Sequence, residues 1–118
     1  MTWYQRKQEN KYHSKRAEYG GEIFHSKKEA NFAWELDMRK KARDIKDVKR
    51  QVKIPLDVNG YHICNYIIDF VVIENDGTET WTECKGFETE TWRLKWKLTE
   101  AVYADRIKKG EIKLLVVR

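Results

Sequence analysis

The chain has 118 residues, about one domain's worth, so a catalytic domain joined to a separate recognition domain is not expected. With 41% hydrophobic, 13% aromatic and 36% charged residues it is neither collagenous, low-complexity nor fully disordered, because that many rings require a core. The net charge of +5 predicts an acidic partner, and no apolar run approaches the roughly 20 residues that span a bilayer.

Residues 1–18 mix Trp3, Tyr4 and Tyr12 with Arg6, Lys7, Lys11, Lys15 and Arg16 and have no helical or strand period. They are expected to form a basic, aromatic arm ahead of a single domain over 19–118. No charged start leads into an apolar segment, so no secretory signal is recognised and a reducing cytoplasm is the expected location. Tyr19-Gly20-Gly21 predicts a turn and residues 22–25 a short strand. Ser26-Lys27-Lys28-Glu29 fits a capping box, in which each side chain satisfies a backbone N–H at a helix start, and a helix over 27–44 follows.

Gln51 to Val58 alternates, with Val52, Ile54, Leu56 and Val58 on one face, and reads as a strand. The chain's single proline, Pro55, predicts an edge position, because proline cannot donate to the ladder. Asn59-Gly60 predicts a hairpin, and Tyr61 to Glu74, apolar on both faces, a central strand. Asn75-Asp76-Gly77 is the next turn, Thr78 to Lys85 a third strand, and Gly86 its end. Residues 89–108 read as a long helix with two stripes, Leu94, Leu98, Ala101 and Val102 on one and Trp92, Trp96 and Tyr103 on the other. Residues 112–117 form a last strand, which can lie parallel to a neighbour because a helical crossover precedes it. The class is therefore α+β (mixed α/β): a helix, a three-stranded antiparallel meander, a helix and a final strand, with helices covering a small central sheet. Cys64 and Cys84 form no C-x-x-C pair and are expected to be core thiols, while His13, His25 and His62 lack metal-ligand spacing.

Charge is unevenly spread. Residues 54–90 hold eight carboxylates against the single base Lys85, inside an otherwise basic chain. Such an island suits a protein that holds a polyanion around a metal-binding carboxylate cluster, and it equally suits a solvent-facing acidic hairpin. Position decides. If Asn75-Asp76-Gly77 is a three-residue loop with Gly77 left-handed, Glu74 pairs with Thr78 and Asp69 lies opposite Glu83. Their Cβ atoms would then be about 4.5–5.5 Å apart, a distance at which two partly buried carboxylates repel unless a cation lies between them. Lys85 projects from the same face, two residues on. A two-residue Asp-Gly turn would instead set Asp69 opposite Cys84 and reverse the faces. The first register is preferred, because it groups Asp69, Glu83 and Lys85. Glu29 falls within the apolar stripe of Phe32, Ala33 and Leu36, where a glutamate serves either as a capping residue or as a further carboxylate of the site.

Ile67-Ile68-Asp69-Phe70, then Glu83-Cys84-Lys85-Gly86 after a hairpin, preceded by Ser26-Lys27-Lys28-Glu29, resembles the PD-(D/E)XK nuclease superfamily. Together with Gly21, Phe24, Ala30, the Gln51 strand, Phe87 and the Lys-rich helix beyond, it looks like a small phage-encoded domain family of uncharacterised function assigned to that superfamily. The likeness covers residues 12–104. It implies a restriction-endonuclease-like core and a Mg²⁺-dependent nuclease, with Mn²⁺ as a substitute, in which Asp69, Glu83 and the Cys84 backbone carbonyl bind the metal. Lys85 would orient or deprotonate the attacking water and stabilise phosphate charge, and Glu29 would hold a metal-bound water. Ile68 stands where the family has proline. Gln51 matches a strand glutamine of related nucleases, but its alternation points it away from Asp69 unless a bulge intervenes.

The basic residues of the arm could contact phosphates, or the arm could be a solvated tail whose rings pack on the body. Arg93 and Lys97, one turn apart on the second helix, are placed to meet a DNA backbone, and the Trp92, Trp96 and Tyr103 stripe is expected to be packing, within the domain or between subunits. The leading expectation is an endodeoxyribonuclease of a phage or mobile element, acting in the bacterial cytoplasm on branched or junction DNA, as a homodimer if cuts are paired, with no membrane partner. A catalytically silent, nuclease-like DNA-binding or scaffold protein is the alternative. A sequence-specific regulator is third, and no helix-turn-helix is recognised.

Overall fold

The computed structural model describes residues 17–118. The predicted arm contacts Arg6, Lys7, Lys11, Lys15 and Arg16 lie outside the described residues. The chain divides into two units, one ending at Arg39 and the other spanning Lys40–Arg118.

In the first unit, β1 (Ala17–Tyr19) and β2 (Glu22–Phe24) pair antiparallel around Gly20 and Gly21, whose φ angles of 61° and 83° suit residues without a Cβ. Ala17 and Glu18, read from sequence as the end of the arm, are thus strand residues. Helix α1 (Lys27–Lys41) begins as its capping signal predicts, with the Glu29 N–H donating to Ser26 Oγ at 3.1 Å. Glu29, Ala30 and Leu36 are buried, and Tyr19 donates to Asp37 Oδ2 at 2.6 Å. The helix stops at Lys41 instead of 44, because Arg43 turns left-handed (φ 64°) and its N–H returns to the Lys40 carbonyl.

The second unit is built on a four-stranded sheet in the order β3 (Asp47–Val58), β4 (Tyr61–Ile73), β5 (Glu79–Cys84), β6 (Ile112–Val117). The first three strands are antiparallel and β6 runs parallel to β5, as a strand reached through a helical crossover can. Strand β3 is an edge, which accommodates Pro55, and it begins at Asp47 instead of Gln51: the charged stretch has no alternation, and its strand form comes from pairing with residues 70–73 of β4. Asn59 and Gly60, at φ 53° and 83°, make the two-residue turn, and a register shift after Leu56 leaves Ile63 as the extra residue on β4. Strand β4 is central as predicted, but Tyr61, Ile63 and Ile67 are exposed, so only its second half is apolar on both faces.

Ile54, Leu56, Tyr66, Ile68, Val71, Trp81, Trp92 and Ile112 form the core of this unit. Each fully buried aliphatic side chain among them stabilises the fold by about 1.5–3 kcal/mol. Trp96, Leu98, Val102 and Tyr103 of the following helix pack against this core. That helix is two helices, α2 (Glu90–Val102) and α3 (Ala104–Lys108), broken at Tyr103, whose ring meets Trp81 edge-on at 5.0 Å while its hydroxyl donates to the Pro55 carbonyl at 2.8 Å. The tryptophan stripe is packing, with Trp92 and Trp96 stacked at 5.6 Å, whereas Leu94 and Ala101 of the other stripe are exposed. Cys64 and Cys84 are free thiols, half-buried rather than in the core. No described helix is long and apolar enough to cross a membrane.

Candidate active site

Two local decisions of the backbone build the site. The first is the Asn75-Asp76-Gly77 turn. Glu74 N donates to the Thr78 carbonyl at 2.8 Å, Gly77 is left-handed at φ 91°, and β4 pairs with β5 as Phe70 with Thr82, Val71 with Trp81 and Ile73 with Glu79. The same register continued one rung sets Asp69 against Glu83, as the three-residue loop predicts.

The second decision is at Gln51, where the backbone takes φ 54°, and the pairing of β3 with β4 skips from Arg50 with Phe70 to Val52 with Ile68. A left-handed glutamine within a strand is sterically costly and marks a place where the surrounding structure holds it. Strict alternation would separate Tyr66 and Ile68 from Val71, yet all three belong to one core. The strand's parity changes across this rung. Sequence alternation turned Gln51 away from Asp69; the irregularity reverses that, and Gln51 Nε2 reaches Asp69 Oδ1 at 3.4 Å.

Asp69 is held from both sides, because its Oδ2 accepts the backbone N–H of Cys84 at 3.0 Å. Glu83 is buried, and its Oε1 accepts the Tyr66 hydroxyl at 2.7 Å, which in turn accepts the Trp92 indole N–H at 2.6 Å. Burial first, and the facing Asp69 carboxylate second, push the Glu83 carboxyl up to about 8, against the opposing pull of Tyr66 and Lys85. Burial and the bond to Glu83 likewise push the Tyr66 phenol up. The Lys85 ammonium lies over the Trp92 ring, 5.2 Å from its centre, a cation–π contact of about 0.5–1 kcal/mol.

Glu83 and Lys85 open onto a cleft of about 340 Å³, lined also by Asn65, Tyr66, Ile67, Thr89, Thr91, Trp92 and Lys95. Thr89 caps α2, accepting the Trp92 N–H at 3.1 Å, and so fixes where the indole sits. The structure therefore brings together Asp69, Glu83 and Lys85. Glu29 lies in the first unit, buried on the first turn of α1. Of the helix cations singled out in the sequence, Arg93 pairs with Glu88 at 3.6 Å, and neither it nor Lys97 lines the cleft; Lys95 does. Among the described residues, no ion pair to Lys95 is formed.

Sequence reasoning missed Tyr66, Trp92 and Lys95 as parts of the site. For Lys95 the spacing from Thr91 along one helical face was available as a signal. For Tyr66 there was none, since it stands three positions before Asp69 along the strand and alternation places the two on opposite faces. Among the described residues no group of three His, Cys, Asp or Glu side chains gathers as a metal cluster. The donors on hand are two hard carboxylates, which suits Mg²⁺: it keeps several waters and takes one or two protein carboxylates beside a substrate phosphate. Their mutual repulsion is the kind of conflict a divalent cation relieves.

The family described as a protein of unknown function (DUF1064) matches residues 9–115 of the chain. No curated protein and no solved structure matches it.

Proposed function

We propose that this chain, which belongs to the DUF1064 family, is a Mg²⁺-dependent endodeoxyribonuclease with a restriction-endonuclease-like core. The observation that carries the reading is the meeting of Asp69 and Glu83 on neighbouring strands, with the Lys85 ammonium acting on the same Glu83 carboxylate. Two carboxyl groups forced together are costly to keep, and they are useful where a cation and a phosphate are to be bound.

In this reading Asp69 and Glu83 hold the cation, with the Cys84 backbone carbonyl as a further oxygen donor. The cation supplies Lewis-acid polarisation of the phosphodiester. Gln51 and the Cys84 N–H fix one carboxylate, and Tyr66 fixes the other. Lys85 orients the attacking water and balances charge that builds on the phosphate. Hydrolysis adds one water across a P–O ester bond, leaving a phosphate monoester and a sugar hydroxyl. Lys95, without an ion pair among the described residues, makes the cleft wall next to the site electropositive, so we assign it, rather than Arg93 or Lys97, to the flanking phosphate of the DNA strand. Glu29 enters through its sequence resemblance alone, and Glu29→Gln tests it. Branched or junction DNA remains the proposed substrate, cut in pairs by a homodimer.

The test is incubation with supercoiled plasmid and with a four-way junction in Mg²⁺, Mn²⁺ or chelator, for the wild type, Asp69→Asn, Glu83→Gln and Lys85→Ala. Cutting that needs the metal and is lost in all three variants supports the reading. Cutting in chelator, or cutting that survives the three changes, rejects the site. Tight DNA binding without cutting points to the scaffold alternative.

A further inference from the structure

The hydrogen-bond chain behind Glu83 has a fixed direction. An indole N–H can only donate, so the contact of 2.6 Å between Trp92 Nε1 and the Tyr66 oxygen makes that oxygen an acceptor. The single phenolic hydrogen is then committed to Glu83 Oε1, at 2.7 Å. Trp92 cannot swing away, because it is buried, stacked on Trp96 and covered by Lys85, and Tyr66 is buried against it. One of the two Glu83 oxygens is thus taken by the protein itself.

We propose that Tyr66, pinned by Trp92, is a positioning residue that sets cation selectivity: by reserving Oε1 it keeps Glu83 from offering both oxygens to a metal. This rests on the reading of Asp69 and Glu83 as the cation site. Ca²⁺ gathers six to eight oxygens and readily takes a carboxylate through both, whereas Mg²⁺ and Mn²⁺ are content with one carboxylate oxygen and water. A glutamate with one oxygen engaged therefore favours the smaller ions. Groups behind a metal ligand commonly change affinity by about 10–100-fold when removed.

Calorimetric titration of the full chain with Mn²⁺ and, separately, with Ca²⁺ tests this in wild type and Tyr66→Phe. Expected is a fall of about tenfold or more in the Mn²⁺ to Ca²⁺ affinity ratio, since the freed Oε1 lets Glu83 take Ca²⁺ through both oxygens. A role confined to packing would weaken both ions alike, so an unchanged ratio overturns the proposal. Should Tyr66→Phe fail to fold, Trp92→Phe keeps most of the ring packing while unpinning the hydroxyl; a smaller shift in the same direction supports the proposal and no shift overturns it. A wild type without Mn²⁺ binding, or with binding that Asp69→Asn leaves intact, removes the cation site and this inference with it. That outcome is distinct from a ratio unmoved by Tyr66→Phe in a protein whose binding does depend on Asp69.

Discussion

Two clefts of similar size lie in the second unit, and they treat their acids in opposite ways. One, about 340 Å³, is lined by Glu83 and Lys85; the other, about 370 Å³, is lined by Asp76, Thr78, Glu79, Arg106 and Glu111. In the second, each acid has a local partner. Glu79 accepts the Trp81 indole at 2.8 Å, Glu111 pairs with Arg106 at 3.0 Å, and Asp76 accepts both the backbone N–H and the hydroxyl of Thr78, at 2.9 and 2.7 Å. In the first, a buried Glu83 faces Asp69 and carries a carboxyl raised by burial and by that neighbour. Volume does not single out a site. Two carboxyl groups held face to face do, because a fold maintains them at a cost to stability.

The largest break between the two clefts is expected in catalysis. Lys85→Ala or Asp69→Asn should lower plasmid cutting by about 10²–10⁴-fold, the usual weight of a water-activating group, whereas Glu79→Gln and Arg106→Ala should leave it within about twofold, as surface changes generally do. Comparable losses from both sets, measured as initial rates, would erase the distinction.

Next is a pair of pH responses of opposite sign. The folded Glu83 carboxyl lies above its ordinary 4.5, so its contribution to stability is complete below that value and is lost as pH rises through about 8. Thr78 holds Asp76 below its ordinary 3.8, so that contribution is present above 3.8 and is lost as the pH falls. Melting curves of metal-free protein should therefore show a falling limb toward pH 8 that Glu83→Gln flattens, and an acid limb that Asp76→Asn reduces. Excess Mg²⁺ should flatten the alkaline limb alone, since it binds the ionised carboxylate. An alkaline limb unaffected by Glu83→Gln would mean that the strain lies elsewhere.

Gly77→Ala sharpens the comparison on the side of folding. With Gly77 at φ 91°, the alanine should cost about 1–2 kcal/mol in denaturant titration, with no change in cutting beyond that caused by unfolding. Smallest is the electrostatic effect at the cleft wall. Lys95→Ala should reduce the salt slope of DNA binding by about one, and Arg93→Ala by less, because Arg93 already faces Glu88. Equal slopes, measured by anisotropy in the Asp69→Asn background, would return Arg93 to the DNA interface.

Much of the fold was legible because it follows local rules. Ser26 and Glu29 announce a helix start, Pro55 an edge, Asn59-Gly60 a tight hairpin, and Asn75-Asp76-Gly77 a loop whose length sets the Asp69 and Glu83 register. What escaped was decided by neighbours. Residues 47–50 are charged and without alternation, yet pair along β4; the helix after Thr89 breaks at Tyr103, whose ring and hydroxyl are held by Trp81 and Pro55. Leu94 belongs to an apolar stripe of the helix and yet stands exposed, because Trp92 and Trp96 claim the packing face with larger apolar surfaces.

The candidate site divides along the same line. The order of residues narrowed the pairing to two registers, and the one favoured there, from a three-residue turn, sets an aspartate against a glutamate with a lysine two residues on. Only the tertiary structure decided that Gln51 turns left-handed against Asp69, and that Tyr66 and Trp92 stand behind Glu83. Strand alternation is a rule for regular backbone. A single irregular rung changes which side chains meet, and the energy that holds it comes from contacts distant in sequence.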